Sequence, residues 1–143
     1  MASKIEVDEL AGAGSAGVMT VVGEGGSTTT NLQQGLIKVW VNFDGSASGA
    51  AARDSYNVSG MTDNGTGDYT TSFTNAMGNT TYVLLDGSVN DGSTRGSHLC
   101  GQANAHATGS FRANYGVTTN GEGDGNIEDD IDLAAQGYVG DLA

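Results

Sequence analysis

DNGTGDYT, residues 63–70, lies between two runs in which apolar and polar residues alternate, and it has two incompatible readings. As a calcium loop it would have to gather roughly 6–8 oxygens around the ion. Asp63, Asn64 and Asp68 supply three side-chain donors, too few without extensive backbone help. As a turn it needs only residues that enter the left-handed region, and Asn-Gly and Asp-Asn pairs do so readily. The stretch therefore predicts a β-hairpin with a loop of about five residues, DNGTG.

The pattern continues outward on both sides. RDSYNVS (53–59) alternates with Tyr56 and Val58 on one side, and DYTTSFT (68–74) aligns Tyr69, Thr71 and Phe73. LIKVWVNF (36–43) places Ile37, Val39, Val41 and Phe43 on one face, with Leu36, Lys38, Trp40 and Asn42 on the other. Trp40 beside Lys38 is a poor plain solvent face, so this side is expected to meet another chain or a loop. Tyr82–Leu85 is apolar on both faces and reads as a central or interface strand. SFRANYGV (110–117) alternates through Phe111, Ala113 and Tyr115.

Composition points the same way. The 143 residues include 24 Gly, no Pro and no sustained helix-forming run, which suits short strands and turns in one domain. Before that domain, MASKIEVDEL, AGAGSAG and GEGGSTTTN read as an extended arm with flexible joints. A strand inside Gly17–Gly23 is expected to pair with a sheet elsewhere or in a neighbouring copy, because the arm has no core of its own. After Val117 the chain turns acidic, and IEDDIDLAAQ within it reads as one short helical turn followed by a tail, with Ile127, Ile131, Leu133 and Tyr138 expected to anchor the segment to a surface. The predicted architecture is all-β: an arm at 1–34, a jelly-roll-like β-sandwich at 35–117 and an acidic C-terminal segment at 118–143.

Seventeen Asp and Glu against 5 Lys and Arg give a net charge of −12, which repels phosphate backbones and anionic membrane faces. No nucleic acid and no membrane insertion are expected. The opening residues carry no apolar signal core, and no run of ~18 apolar residues occurs. The lone Cys100 excludes a disulfide framework within the chain. His98, Cys100 and His106 have no zinc spacing, and Asp124, Asn126 and Glu128 fail as an EF-hand because Asp129 and Ala135 stand at the glycine and bidentate-acid positions. With no phosphate loop, nucleophile elbow or dinucleotide fingerprint either, no catalytic residue, metal or cofactor is expected.

GLIKVWVNFDG (35–45), RDSYNVSGMTDNGTGDYTTSFTNAM (53–77) and NTTYVLL (79–85) together resemble a segment of tail-fibre and other virion structural proteins of tailed bacteriophages, especially of marine and cyanobacterial hosts. The order strand, Arg-Asp, NVS, DNGTGDYT and aromatic strand carries the likeness over about a third of the chain, and MASKIEVDEL resembles the short head of such proteins. The resemblance implies a non-enzymatic virion component, made in the host cytoplasm, usually homotrimeric and attached through its N-terminal part. This chain departs from the family in lacking Pro in AMGNTTY and in having no long fibre shaft. A tail fibre or fibre-like appendage is expected first and a capsid decoration protein second. A host-glycan-binding module is the alternative of another class, and a depolymerase ranks below it.

Expected docking residues are Ile5, Val7, Leu10, Val18, Val21 and Val22 in the arm, toward other tail or capsid proteins. Expected contacts between copies are Leu36, Lys38, Trp40, Tyr82 and Leu84.

Overall fold

The computed structural model describes residues 7–12, 14, 19–23, 25–87, 97–117 and 127–143, with backbone alone for 97–105, 117 and 127. The chain divides into two compact units, Met1–Leu36 and Ile37–Ala143.

In the first unit, β1 (Thr20–Val22) pairs antiparallel with β2 (Thr29–Asn31). The strand expected inside the arm thus finds its partner within the arm, not on a distant sheet. The turn between them closes through Gly23 N–H to Thr28 O and Gly26 N–H to Gly23 O, and Gly26 takes the positive φ of 74° that the reversal needs. A single helical turn, α1 (Leu32–Gly35), follows, capped by Asn31 Oδ1, which accepts from Gln34 N–H at 3.1 Å.

The second unit is built of two antiparallel sheets. The first has the order β4 (Ala51–Tyr56), β3 (Ile37–Asp44), β11 (Ala134–Val139), β7 (Val83–Asp86). The second runs β5 (Val58–Gly65), β6 (Asp68–Phe73), β9 (Ser110–Val117), β8 (Ser97–Ala107), and the two-residue β10 (Ile127–Glu128) pairs with the end of β9. Their inner faces form a sandwich core. Val39, Val41, Phe43, Ala134 and Tyr138 come from one sheet, and Tyr69, Phe73, Phe111, Ala113 and Tyr115 from the other.

Two aromatic groups fill that core. Phe43 meets Tyr69 edge-on at 5.2 Å and Tyr115 at 6.1 Å. Tyr138 meets Phe73 at 5.1 Å, Phe111 at 5.5 Å and Tyr82 at 5.8 Å, again edge to face. Such pairs contribute roughly 0.5–1.5 kcal/mol each beyond their burial.

The hairpin at 63–70 forms, with a tighter connection than the five residues expected: Gly65 pairs with Asp68 and only Thr66 and Gly67 reverse the chain. A bulge at Asn64 takes up the remaining residue. Gly67 has φ 68°, and a Cβ there would strike the carbonyl oxygens of Tyr115 and Asp129. Both conditions demand glycine.

Three other expectations change. RDSYNVS is not one strand: Asn57, at φ 59°, breaks it, so β4 ends in the first sheet with Tyr56 exposed while Val58 begins β5 and packs on the core. Ile37 leaves the face of Val39 because the β3–β11 register slips between Tyr138 and Val139, with Lys38 as the extra residue. The C-terminal segment is no tail with a helical turn. Ile131 anchors it in the core, and β11 lies between β3 and β7 as an interior strand.

Candidate functional site

The outward faces of the two sheets differ in chemistry. On the second sheet the outward residues are polar and mostly paired, although Asn114 Oδ1 is buried without a hydrogen-bond partner. Asp68 takes Nε and Nη2 of Arg112, Asn114 Nδ2 donates to Glu128 Oε1 at 2.9 Å, and Asn64 Nδ2 donates to Thr70 Oγ1 at 2.9 Å. The calcium reading of the hairpin loses its donors to this pairing: both Asp68 oxygens face Arg112, and Asp63 Oδ1 accepts from Gly65 N–H at 2.9 Å. Among the described residues no group of three or more His, Cys, Asp or Glu gathers to hold a metal ion.

On the first sheet the outward face carries an apolar patch around Trp40, with Asn42 and Asp54 standing opposite each other beside it. Trp40 stands opposite Gly137 and Tyr56, and Gly137 stands opposite Leu85, so one line of residues crosses all four strands. Ile37 joins this face through its bulge, with its side chain about 3.9 Å from where a Cβ of Gly137 would lie. Glycine at 137 leaves a shallow depression of about 430 Å³ lined by Ile37, Trp40, Leu85, Ala135 and Gly137, with Asn42 and Asp86 also on its lining. Ile37, Tyr56, Val83 and Leu85 are each about half exposed, at 47, 56, 58 and 50%. Contiguous apolar exposure of this kind marks a contact surface more often than a plain solvent face.

Beneath this face the core is closed by a polar network that holds the two sheets in register. Gln136 Oε1 accepts from Thr71 at 2.8 Å and from the Tyr138 hydroxyl, its Nε2 donates to Tyr115 Oη at 2.8 Å, and Tyr115 donates to Asp86 at 3.0 Å. Burial first, and then the Asp86 charge, pushes the Tyr115 hydroxyl far above its ordinary value. Burial does the same for Tyr138, and pushes Tyr82 up to about 12. At the end of the sandwich Tyr69 Oη lies 2.6 Å from Asp130 Oδ1 and 3.0 Å from Gly45 O; burial and this carboxylate together raise it strongly. Raised in this way, these hydroxyls stay neutral donors at neutral pH.

The residues singled out from the sequence fall into several places. Of the expected contact residues, Trp40 lies on the outward face, half-buried, and Leu36 closes the first unit at 52% exposure. Lys38 and Tyr82 are buried at 5 and 4%, and Leu84 packs against the core. Tyr82 turns inward because its ring meets Phe73, Tyr138 and His106 and its hydroxyl reaches the carbonyls of Ala107 and Ser110. The outward residues of that run are Val83 and Leu85, which were not among the expected contacts although alternation alone puts them on the face opposite Tyr82 and Leu84.

In the arm, Val7, Leu10, Val21 and Val22 are exposed at 55, 64, 50 and 59%, and Ile5 and Val18 lie outside the described residues. A hollow of about 360 Å³ is lined there by Leu10, Met19, Leu32 and Leu36. His98 and Cys100 sit opposite Gly116 and Asn114 in the ladder, whereas His106 sits opposite Phe111 with its ring 4.8 Å away.

The chain matches no protein-family model, no curated protein and no solved structure. Fold and surface chemistry are the remaining guides to its role.

Proposed function

We propose that the protein is a non-enzymatic structural component of a tailed-phage virion, a tail fibre or fibre-like appendage that docks through its N-terminal arm and associates with its own copies. The observation that carries this reading is the outward face of the first sheet. It sets Ile37, Tyr56, Val83 and Leu85 in water beside the half-buried Trp40, on a chain whose net charge is −12. Such copies repel at long range, so a lasting contact is favoured where apolar groups meet closely, and on this face Asp54 stands only at the edge of the patch. The number three comes from the family resemblance, as do the virion location and the tail or capsid partners. The arm supports docking because Val7, Leu10, Val21 and Val22 offer apolar surface that its short hairpin does not cover.

A jelly-roll-like course belongs to the same proposal. Crossings between the sheets at β4–β5, β6–β7, β7–β8 and β10–β11 favour it, and the local hairpins β3–β4, β5–β6 and β8–β9 count against it. Gold-labelled antibody against the chain tests the virion role. Labelled tails support the fibre-like reading, labelled heads move the protein to capsid decoration, and unlabelled particles reject both. Deleting Met1–Leu36 abolishes labelling if the arm is the docking element.

One observation favours a host-glycan-binding module as the second reading: Trp40 and Tyr56 are direct cross-strand neighbours on the outward face, a platform on which a sugar ring can stack. Glycan-array binding lost in Tyr56→Ala would support that module over self-association.

A further inference from the structure

The hairpin tip carries reactive chemistry that its structural role does not use. Asn64 is followed by Gly65, the one Asn-Gly pair among the described residues. Asn64 is also the bulge residue, left without a ladder partner between Asp63 and Gly65. All three residues are exposed, and beyond the neighbouring residues no atom lies within 4 Å of where a Cβ on Gly65 would stand, so the chain is open on that side. That amide N–H donates to Asp63 Oδ1 at 2.9 Å.

We infer that Asn64 is a self-modification site, at which the Asp63 carboxylate acts as general base for cyclisation of Asn64 onto the Gly65 nitrogen. Asp63 draws the proton from the Gly65 N–H, and the nitrogen attacks Cγ of Asn64. The new N–Cγ bond closes a five-membered ring, and the Cγ–Nδ2 bond breaks to release ammonia, which carries the proton away. Water then opens the ring at either carbonyl, leaving an aspartate or an isoaspartate at position 64. No oxidant, cofactor or reagent other than water enters, and the net change is amide plus water to carboxylate plus ammonium.

Thr70 opposes the reaction. Its Oγ1 accepts from Asn64 Nδ2 at 2.9 Å and tethers the side chain, which must swing free before Cγ meets the Gly65 nitrogen. The outcome is a slow covalent change in β5, with the tether lost and one further negative charge beside Asp68. An isoaspartate also adds a methylene to the backbone at the bulge.

Peptide mapping by mass spectrometry of the full chain, aged in ¹⁸O-water at neutral and alkaline pH, tests the inference and separates position 64 from Asn120-Gly121. The wild type should gain the mass of one labelled deamidation at 64 faster than at Asn57 or Asn75, with isoaspartate among the products. Asp63→Ser keeps an acceptor for the Gly65 N–H but removes the base. It should slow the gain by about tenfold, less than the roughly hundredfold of a well-placed enzymic base because hydroxide still reacts. Thr70→Val should speed the gain, and Asn64→Ser should abolish it. A rate at 64 no greater than at Asn57 overturns the site. An unchanged rate in Asp63→Ser, with Thr70→Val confirming that the hairpin still responds, overturns the role of Asp63.

Discussion

Asn57 shows how much one residue can fix. Its left-handed φ sends the chain from one sheet to the other, and its side chain joins both: Nδ2 donates to Lys38 O and Asn75 O at 3.1 Å each, and Oδ1 accepts from Asn75 N–H at 2.7 Å. Asn57→Gly keeps the backbone but loses these bonds and should cost about 1–3 kcal/mol in urea unfolding. Asn57→Ala should cost about 1 kcal/mol more, since a Cβ resists that φ. Gln136 has equal reach: replacing it by Leu leaves the Thr71 and Tyr138 hydroxyls without their acceptor, for a loss of about 2–4 kcal/mol. The buried tyrosines set the alkaline limit. Their folded pKa values lie above the unfolded value of 10.0, so stability holds below that pH and falls as pH climbs from there toward the folded value, about 12 for Tyr82. Melting followed beside tyrosinate absorbance should show both changing together above about pH 10.

Elements differ in how far they can be read from the sequence. β3, β6 and β9 were legible because their apolar residues recur every second position and do face the core: Val39, Val41 and Phe43; Tyr69 and Phe73; Phe111, Ala113 and Tyr115. The break at Asn57 was not, because Tyr56 and Val58 continue the alternation across it while facing different surroundings. β11 was hidden more deeply. AAQGYV has weak strand propensity, and its small residues make sense only once Leu85 and Ile37 flank Gly137. The outward face was legible in Trp40, but its other half depended on the bulge at Lys38 and on β7 lying two strands away. A chain ending at Asp130 removes Ile131 and an interior strand, so it should lose its cooperative thermal transition. A sharp transition in that truncated chain would show that β11 is an accessory strand.

At the scale of the whole molecule, the sandwich has one outward face that is polar and mostly paired and another with an open apolar patch, on a chain of net charge −12. Self-association through that face should therefore strengthen as salt screens the charge, the reverse of an assembly held by ion pairs. Leu85→Glu, at a half-exposed position, should dissociate the copies while leaving the melting transition of the second unit nearly unchanged. The most direct measurement is light scattering across a salt series on the wild type and Leu85→Glu side by side. Three chain masses for the wild type, favoured by salt, and one for Leu85→Glu are the predicted result; a wild type that stays monomeric at every ionic strength, or an assembly that Leu85→Glu leaves intact, contradicts it.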